Sequence, residues 1–246
     1  GTPVTRDLLD LWAQINFISP AILNMGIAQF KETYCETITK TTYGHRKIKR
    51  EEWIVNYHNL DHLYSRIERY VYGCDLKLEL QKKHVEVHCM ADDEDREAYK
   101  AIKEKYLNLE KMVSVNNNIF LCMVQELQQS YSRIQSKIKA IDELVKKYGE
   151  CLIFCKYRET AELFEAKFPN CKVLTYGKHS FGLNLQCFNV TIFVDQTWDY
   201  AQRLQSEART YRTGQQHDCL YVTLMTDFKL DALIQQNQSK KGGLLG

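Results

Sequence analysis

A parallel α/β sheet with flanking helices, preceded by a mainly helical region, is the fold class this sequence predicts, and three observations predict it. After Gly149 the pattern alternates strand, helix, strand. Cys151 to Cys155 is a short apolar run fit for a strand buried on both faces, and Val190 to Val194 reads as a further strand. Before Gly149 the apolar residues recur mostly at helical spacing, as Ile134, Ile138, Ile141 and Val145 do.

Helices are predicted over Leu8 to Phe17, Ala21 to Tyr34 and Leu60 to Tyr70, with a polar, basic connection from Thr37 to Arg50. Lys77 to Cys89 reads as a strand, because His84 and His88 alternate with valines as a half-buried strand demands. Asp92 to Asp95 supply negative charge to the first turn of a helix that runs to about Leu107. Asn116 to Asn118 signal a turn. Two more helices follow, and Gly149 ends the second of them. Beyond Gly149 come a strand over Cys151 to Cys155, a helix over Glu159 to Phe168 and a strand over Lys172 to Tyr176. The last strands are Val190 to Val194 and Leu220 to Met225, with a helix between them. The predicted division is a helical region over 1–148, a sheet domain over 149–238 and a flexible tail over 239–246.

Composition bounds the function. Hydrophobic content of 44% and charged content of 26% are those of a soluble globular chain, and no apolar run approaches the roughly 20 residues that span a bilayer. A net charge of +2 announces no nucleic-acid partner, so a basic surface has to be local; His45 to Arg50 is the densest basic run. Nine scattered cysteines without a secretory signal predict reduced thiols and an intracellular, cytoplasmic protein. The pair Cys151 and Cys155, and the group His84, His88 and Cys89, raise zinc as an alternative. Without a second cysteine pair at zinc-ribbon spacing, buried thiols and an ordinary strand are the expectation. A first residue of Gly in place of Met predicts a fragment or a processed chain.

The most informative stretch is Gln205-Ser-Glu-Ala-Arg209-Thr-Tyr-Arg212-Thr-Gly214-Gln215. At helical spacing it places Gln205, Arg209 and Arg212 on one face, while Leu204, Ala208 and Tyr211 form an apolar stripe that seats the helix. Asp199 is positioned to cap that helix. Guanidinium groups one turn apart suit phosphate oxygens, being planar, permanently charged donors. In open parallel sheets ligands gather at the carboxyl ends of the strands, where Lys156-Tyr157, Thr175 to Ser180 and Gln196 to Asp199 fall.

This run resembles motif VI of superfamily 2 helicases of the Swi/Snf-like type. Gly182 to Gln186 resembles motif V of the same family, and is followed by Val190 to Asp195 and Trp198-Asp199; Gly1 to Thr5 with Leu8 to Trp12 resembles motif III and its helix. The three matches stand in the family's order over nearly the whole chain. The resemblance implies a RecA-like C-terminal helicase lobe in an ATP-dependent DNA translocase or helicase, with Arg209 and Arg212 acting as arginine fingers on ATP. It implies that Gln205, Gly214 and Gln215 couple the nucleotide site to the DNA groove. Lys156, Thr175, Tyr176, Lys178, Gly182, Asn184 and Trp198 would contact DNA, expected to be duplex. No phosphate loop and no acidic box occur in the sequence. ATP and Mg2+ are therefore expected to be held by an N-terminal lobe absent from this chain, leaving the fragment alone inactive. The sequence departs from the family in carrying less chain between the first strand of the lobe and Gly182, which predicts an abbreviated sheet and resembles compact bacterial or phage members. A catalytically inactive nucleic-acid-binding or partner-docking module with the same fold is the alternative.

Overall fold

In the computed structural model, residues 7–43, 48–72, 78–107, 117–176 and 184–243 are described. The chain forms two compact units, Gly1–Asp75 and Leu76–Gly246.

The first unit contains α1 (Leu9–Ile18), α2 (Pro20–Leu23), α3 (Ile27–Tyr34), strands β1 (Cys35–Tyr43) and β2 (Ile48–Tyr57), and α4 (Leu60–Ile67). Ala21 to Tyr34 is not one helix. Asn24 turns left-handed at φ 48° and Gly26 is extended, so the chain breaks and restarts at Ile27. Leu11, Ile15, Leu23, Phe30, Tyr34, Leu63 and Ile67 make the core. The expected connection over Thr37 to Arg50 is instead most of an antiparallel hairpin, with Ile38 opposite Trp53 and Thr41 opposite Arg50. Its β-branched threonines suit a pleated ribbon, and Ile54 and Tyr57 seat one face on the helical core. Polarity disguised a strand as a loop.

The second unit is built on a five-stranded, all-parallel sheet. Its strands are β3 (Lys82–Cys89), β4 (Leu152–Cys155), β5 (Lys172–Thr175), β6 (Val190–Phe193) and β7 (Cys219–Thr226), in the order β3-β7-β6-β4-β5. Helices α5 (Asp93–Leu107), α6 (Asn117–Ser130) and α7 (Gln135–Tyr148) follow β3, and α8 (Arg158–Lys167) follows β4. Between β6 and β7 lies α9 (Tyr200–Glu207), and α10 (Lys229–Gly243) comes last. The break expected at Tyr148-Gly149 lies inside this unit, which begins at Leu76. The cause is β3, which pairs with β7 from Lys82 opposite Cys219 to Cys89 opposite Thr226 and so draws the preceding chain into the sheet. Gly149, at φ 76°, does end α7. Between Thr175 and Val190 the described residues add no strand or helix.

Apolar residues line both faces of the sheet. Ile153, Ile192, Val222 and Leu224 pack with Ile141 and Phe164 on one side, and Leu152, Phe154, Phe193 and Tyr221 make the other cluster. Burial pushes the thiol of Cys151 up to about 12 and that of Cys155 well above its ordinary value, so both are inert core side chains. The tail expected to be flexible from 239 continues in α10 to Gly243, anchored by Phe228, Leu230 and Ile234 against Tyr99 and Tyr131. Asp231 fixes the start of that helix, accepting from Thr226 N (2.9 Å) and from the Tyr131 hydroxyl (2.8 Å). No helix of the described residues is long and apolar enough to cross a membrane.

Candidate nucleotide and DNA interface

Asp199 caps α9 as the sequence predicts, its Oδ1 accepting from Ala201 N at 2.9 Å and Gln202 N at 3.3 Å. The helix does not reach Arg212. It ends at Glu207, whose carbonyl accepts from the Thr210 hydroxyl at 3.1 Å and the Tyr221 hydroxyl at 3.0 Å in addition to backbone donors. Gln205, Arg209 and Arg212 therefore do not share a helical face; the two arginines occupy the turns that follow.

The seating stripe also differs from Leu204, Ala208 and Tyr211. Ala208 is exposed, Leu204 and Tyr211 are half-buried, and the buried face carries Ala201, Arg203, Ser206 and Glu207. The sheet beneath explains it. Arg203 lies over the Phe193 ring at 3.4 Å and donates to Glu207 Oε1 and to the Thr223 hydroxyl, each at 2.9 Å. His84 stacks on Tyr221 and meets Glu207 Oε2 at 3.1 Å. Burial pushes the Glu207 carboxyl up, but the His84 hydrogen bond and the Arg203 charge together hold it below its ordinary value. Sequence reasoning passed over this pair, although Arg203 and Glu207 stand four apart on one helix.

The segments resembling motifs V and VI interlock. Leu185 N donates to the Arg209 carbonyl at 3.3 Å, and Gln215 Nε2 donates to the carbonyls of Phe188 at 3.0 Å and Thr210 at 3.2 Å. Gly214 has φ 99°, and a Cβ there would stand 3.4 Å from Gln186 Nε2. Gly214→Ala is accordingly expected to cost about 1–2 kcal/mol, the penalty of forcing a side chain into left-handed backbone. An unchanged urea midpoint would show that the turn tolerates it. Arg209 and Arg212 are half-buried, and Arg209 Nε is a buried donor without a hydrogen-bond partner.

A second group gathers at the carboxyl ends of β4, β5 and β6 around Asp195, which is 1% exposed. Its carboxylate accepts from the Ser132 hydroxyl at 2.7 Å and from Lys156 N at 3.0 Å, while its carbonyl accepts from the Tyr176 hydroxyl at 3.1 Å. Lys137 Nζ, fully buried, lies 3.7 Å from the same carboxylate and donates to the Val194 carbonyl at 2.7 Å. The Lys156 ammonium turns inward to Gln128 Oε1, and burial lowers its pKa against the opposing pull of Asp195. Trp198 packs on the cluster around Phe228, Thr175 is half-exposed at the end of β5, and Asn184 is exposed. Lys178, Gly182, Gly1 to Thr5 and His45 to Lys47 lie outside the described residues.

The sequence-predicted residues thus fall into two groups at opposite ends of the sheet. A crossover helix returns antiparallel to its strands, so α9 leaves the Asp195 end and delivers Arg209 and Arg212 to the edge where β6 and β7 begin. Tyr211 marks that edge, its hydroxyl donating to the carbonyl of Leu80 just before β3. Lys156, Thr175, Tyr176 and Trp198 remain at the other end.

No family model matches the chain. An uncharacterized ATP-dependent helicase of Mycoplasma pneumoniae is 19% identical over 284 residues, covering 100% of this chain and 27% of that protein. The ATP-dependent helicase fft2 of Schizosaccharomyces pombe is 24% identical over 187 residues, covering 59% of the chain and 15% of the relative. The chain thus spans about a quarter or less of these relatives. Among solved structures, the C-terminal part of the Fun30 ATPase domain superposes with a TM-score of 0.55 at 14% identity, covering 65% of this chain and 89% of that one. The Sulfolobus solfataricus SWI2/SNF2 ATPase core gives 0.52 at 18% identity over 94% of this chain and 56% of that one; the same core in complex with dsDNA gives 0.51. With its parallel five-stranded sheet flanked by helices, the chain shares the fold of the C-terminal part of these SWI2/SNF2-type ATPase domains.

Proposed function

We propose that this chain is the C-terminal half of an ATP-dependent DNA translocase or helicase, in which Arg209 and Arg212 complete a nucleotide site whose other wall belongs to a first lobe. The observation that carries the reading is the turn holding these arginines. Gln215 and Leu185 fix its backbone, and Arg209 Nε is left as a buried, unpartnered donor of the kind an anionic phosphate oxygen satisfies. ATP supplies the phosphoanhydride, and the first lobe would hold it with Mg2+, since no phosphate loop occurs in these residues. The arginines would reach the nucleotide only when the lobes close, which couples hydrolysis to movement.

DNA, expected to be duplex, would lie against the other group, with Thr175, Tyr176 and Trp198 touching the sugar-phosphate backbone without reading bases, whereas Asn184, next to the Leu185 amide that donates to the Arg209 carbonyl, would meet it from the arginine edge. Lys156 would act there by shaping the strand end through Gln128 in place of touching phosphate. Residues 1–75 would carry the end of the first lobe and the connection onward. Steady-state ATP hydrolysis tests the proposal. The chain alone should show none above background, and joining it to its upstream lobe should give DNA-stimulated turnover. A joined protein that binds ATP yet stays inert with and without DNA would overturn it.

A further inference from the structure

Strand β3 is an edge of the five-stranded sheet, eight residues long without proline, and among the described residues it pairs with β7 alone. Cys219 N donates to the Gln81 carbonyl at 2.9 Å, and the register continued from there turns the backbone groups of Lys83, Val85 and Val87 to β7. Those of Lys82, His84, Glu86 and His88 point out of the sheet, a row of donors and acceptors with no backbone partner among the described residues. On one face of this edge a groove of about 380 Å³ runs between the strand and α7, floored by Val85, Val87 and Leu220, walled by Leu144, and lined also by Lys83 and Lys147. On the other face lies a wider cleft of about 640 Å³, bordered by Lys82, His84 and Glu86. Val85 lines both, so the edge between them is open. The charges around it are unequal. Glu86 accepts from the Gln235 side chain, Glu207 holds His84, and Asp218 in the groove accepts from Gln81 N at 2.8 Å. Lys83 and Lys147 are exposed and have no acidic partner among the described residues, and Lys82 rests over the Tyr211 ring at 4.3 Å. The unneutralised charge of this edge is positive.

We infer that the β3 edge is a docking site for an extended acidic segment of a partner protein, which pairs with it as a sixth strand. The outward backbone groups specify a strand, because a helix spends its own N–H and C=O groups internally and has none to give them. Side chains of an added strand alternate, so those on the groove side fall beside Lys83, Val85 and Val87 in turn, an acid first and aliphatic residues after it. An acid on the opposite face would meet Lys82. A second copy of this chain fits less well, since it would bring its own Lys82, Lys83 and Lys147 to the edge while its Glu86 and Asp218 are already engaged; lysines on an edge act against self-pairing for that reason. A nucleic-acid backbone would answer the lysines and leave the row of N–H and C=O groups unmatched. The docking needs neither ATP nor a first lobe, so it stands apart from the motor reading.

Fluorescence anisotropy of two labelled octapeptides, Glu-Glu-Val-Thr-Val-Thr-Val-Thr and the same residues in reverse order, tests the inference for both strand directions. At least one should bind this chain saturably, and its counterpart with Lys in place of Glu should not. Lys83→Glu with Lys147→Glu should weaken the binding about tenfold, the effect of turning two exposed attractions into repulsions. Both positions are exposed, and thermal melting of the double variant checks that the fold is kept. Amide hydrogen exchange of the parent chain gives the second readout. Adding peptide should slow the N–H groups of His84 and Glu86, whereas those of Val85 and Val87 are already held by β7. Absence of saturable binding by either peptide, equal binding of the Lys counterpart, parent-like affinity in the double variant, or unchanged exchange at His84 and Glu86 would overturn the inference. So would slowing of the same two amides by oligo-dT, or by raising the concentration of the chain alone, which would give the edge to nucleic acid or to a second copy. None of these outcomes bears on whether the two-lobe enzyme hydrolyses ATP.

Discussion

Arg212→Ala, placed in the two-lobe motor, is expected to lower DNA-stimulated ATP hydrolysis by about 10³- to 10⁵-fold while leaving DNA affinity unchanged. The magnitude is that of a lost arginine finger, whose charge meets a phosphoryl group most strongly in the transition state. The loss should consequently fall on kcat, with KM for ATP little altered. Arg212→Lys should not restore the rate, because an ammonium cannot present two parallel donors to adjacent oxygens. Local structure makes the experiment clean. The turn is held by the Gln215 side chain and by the Leu185 to Arg209 backbone bond, neither of which uses the Arg212 side chain. Arg209→Ala keeps that backbone bond as well, so a matching loss of kcat there would come from its guanidinium. Undiminished turnover in both variants would remove the arginines from the nucleotide site.

Parts of this arrangement were legible in the sequence and parts were not, for identifiable reasons. Leu152 to Cys155 declared itself as a strand because an unbroken apolar run suits a strand buried on both faces. Asp199 and Gly149 declared a helix start and a helix end because each satisfies a backbone need that few residues meet. The α9 helix was overextended because spacing alone carries no information about competitors for its carbonyls. The Thr210 and Tyr221 hydroxyls that donate to the Glu207 carbonyl come from a turn three residues on and from a strand fourteen residues on. Similarly, the alternation in β3 identified a half-buried strand but could not say that its ladder partner was β7, far along the chain, and so the unit boundary was placed too late. The hairpin was read as a loop because threonines and lysines are polar, although only one of its faces has to be apolar. For the site, residue types were readable and their division between the two ends of the sheet was not. That division follows from the direction of a crossover helix, which becomes visible only once strand order is known.

The second large effect concerns the support of the sheet end proposed to meet DNA. Lys137→Met should destabilise the second unit by about 3–5 kcal/mol, the range for breaking a buried ion pair by removing one partner. Lys137 and Asp195 are both wholly buried, and the ammonium also serves the Val194 carbonyl and lies 5.1 Å from the centre of the Tyr131 ring. Methionine fills the space but leaves the Asp195 carboxylate without its cation and the carbonyl without its donor. Asp195 still has the Ser132 hydroxyl and Lys156 N, which soften the loss without supplying charge. Asp195→Asn should cost a comparable amount by isolating the ammonium. The double variant should be more stable than the sum of the two losses predicts, because it removes both charges at once and the cycle isolates their coupling. Urea unfolding of the three proteins measures this directly, and single-variant losses below about 1 kcal/mol would mean that the pair is not the strut its burial implies. Function should follow stability in a specific way. Asp195 holds the Lys156 amide and, through its carbonyl, the Tyr176 hydroxyl, so a loosened Asp195 frees the ends of β4 and β5 together. DNA binding by Lys137→Met should therefore weaken at temperatures where the unit is still folded, while Arg209 and Arg212, at the opposite edge of the sheet, keep their turn.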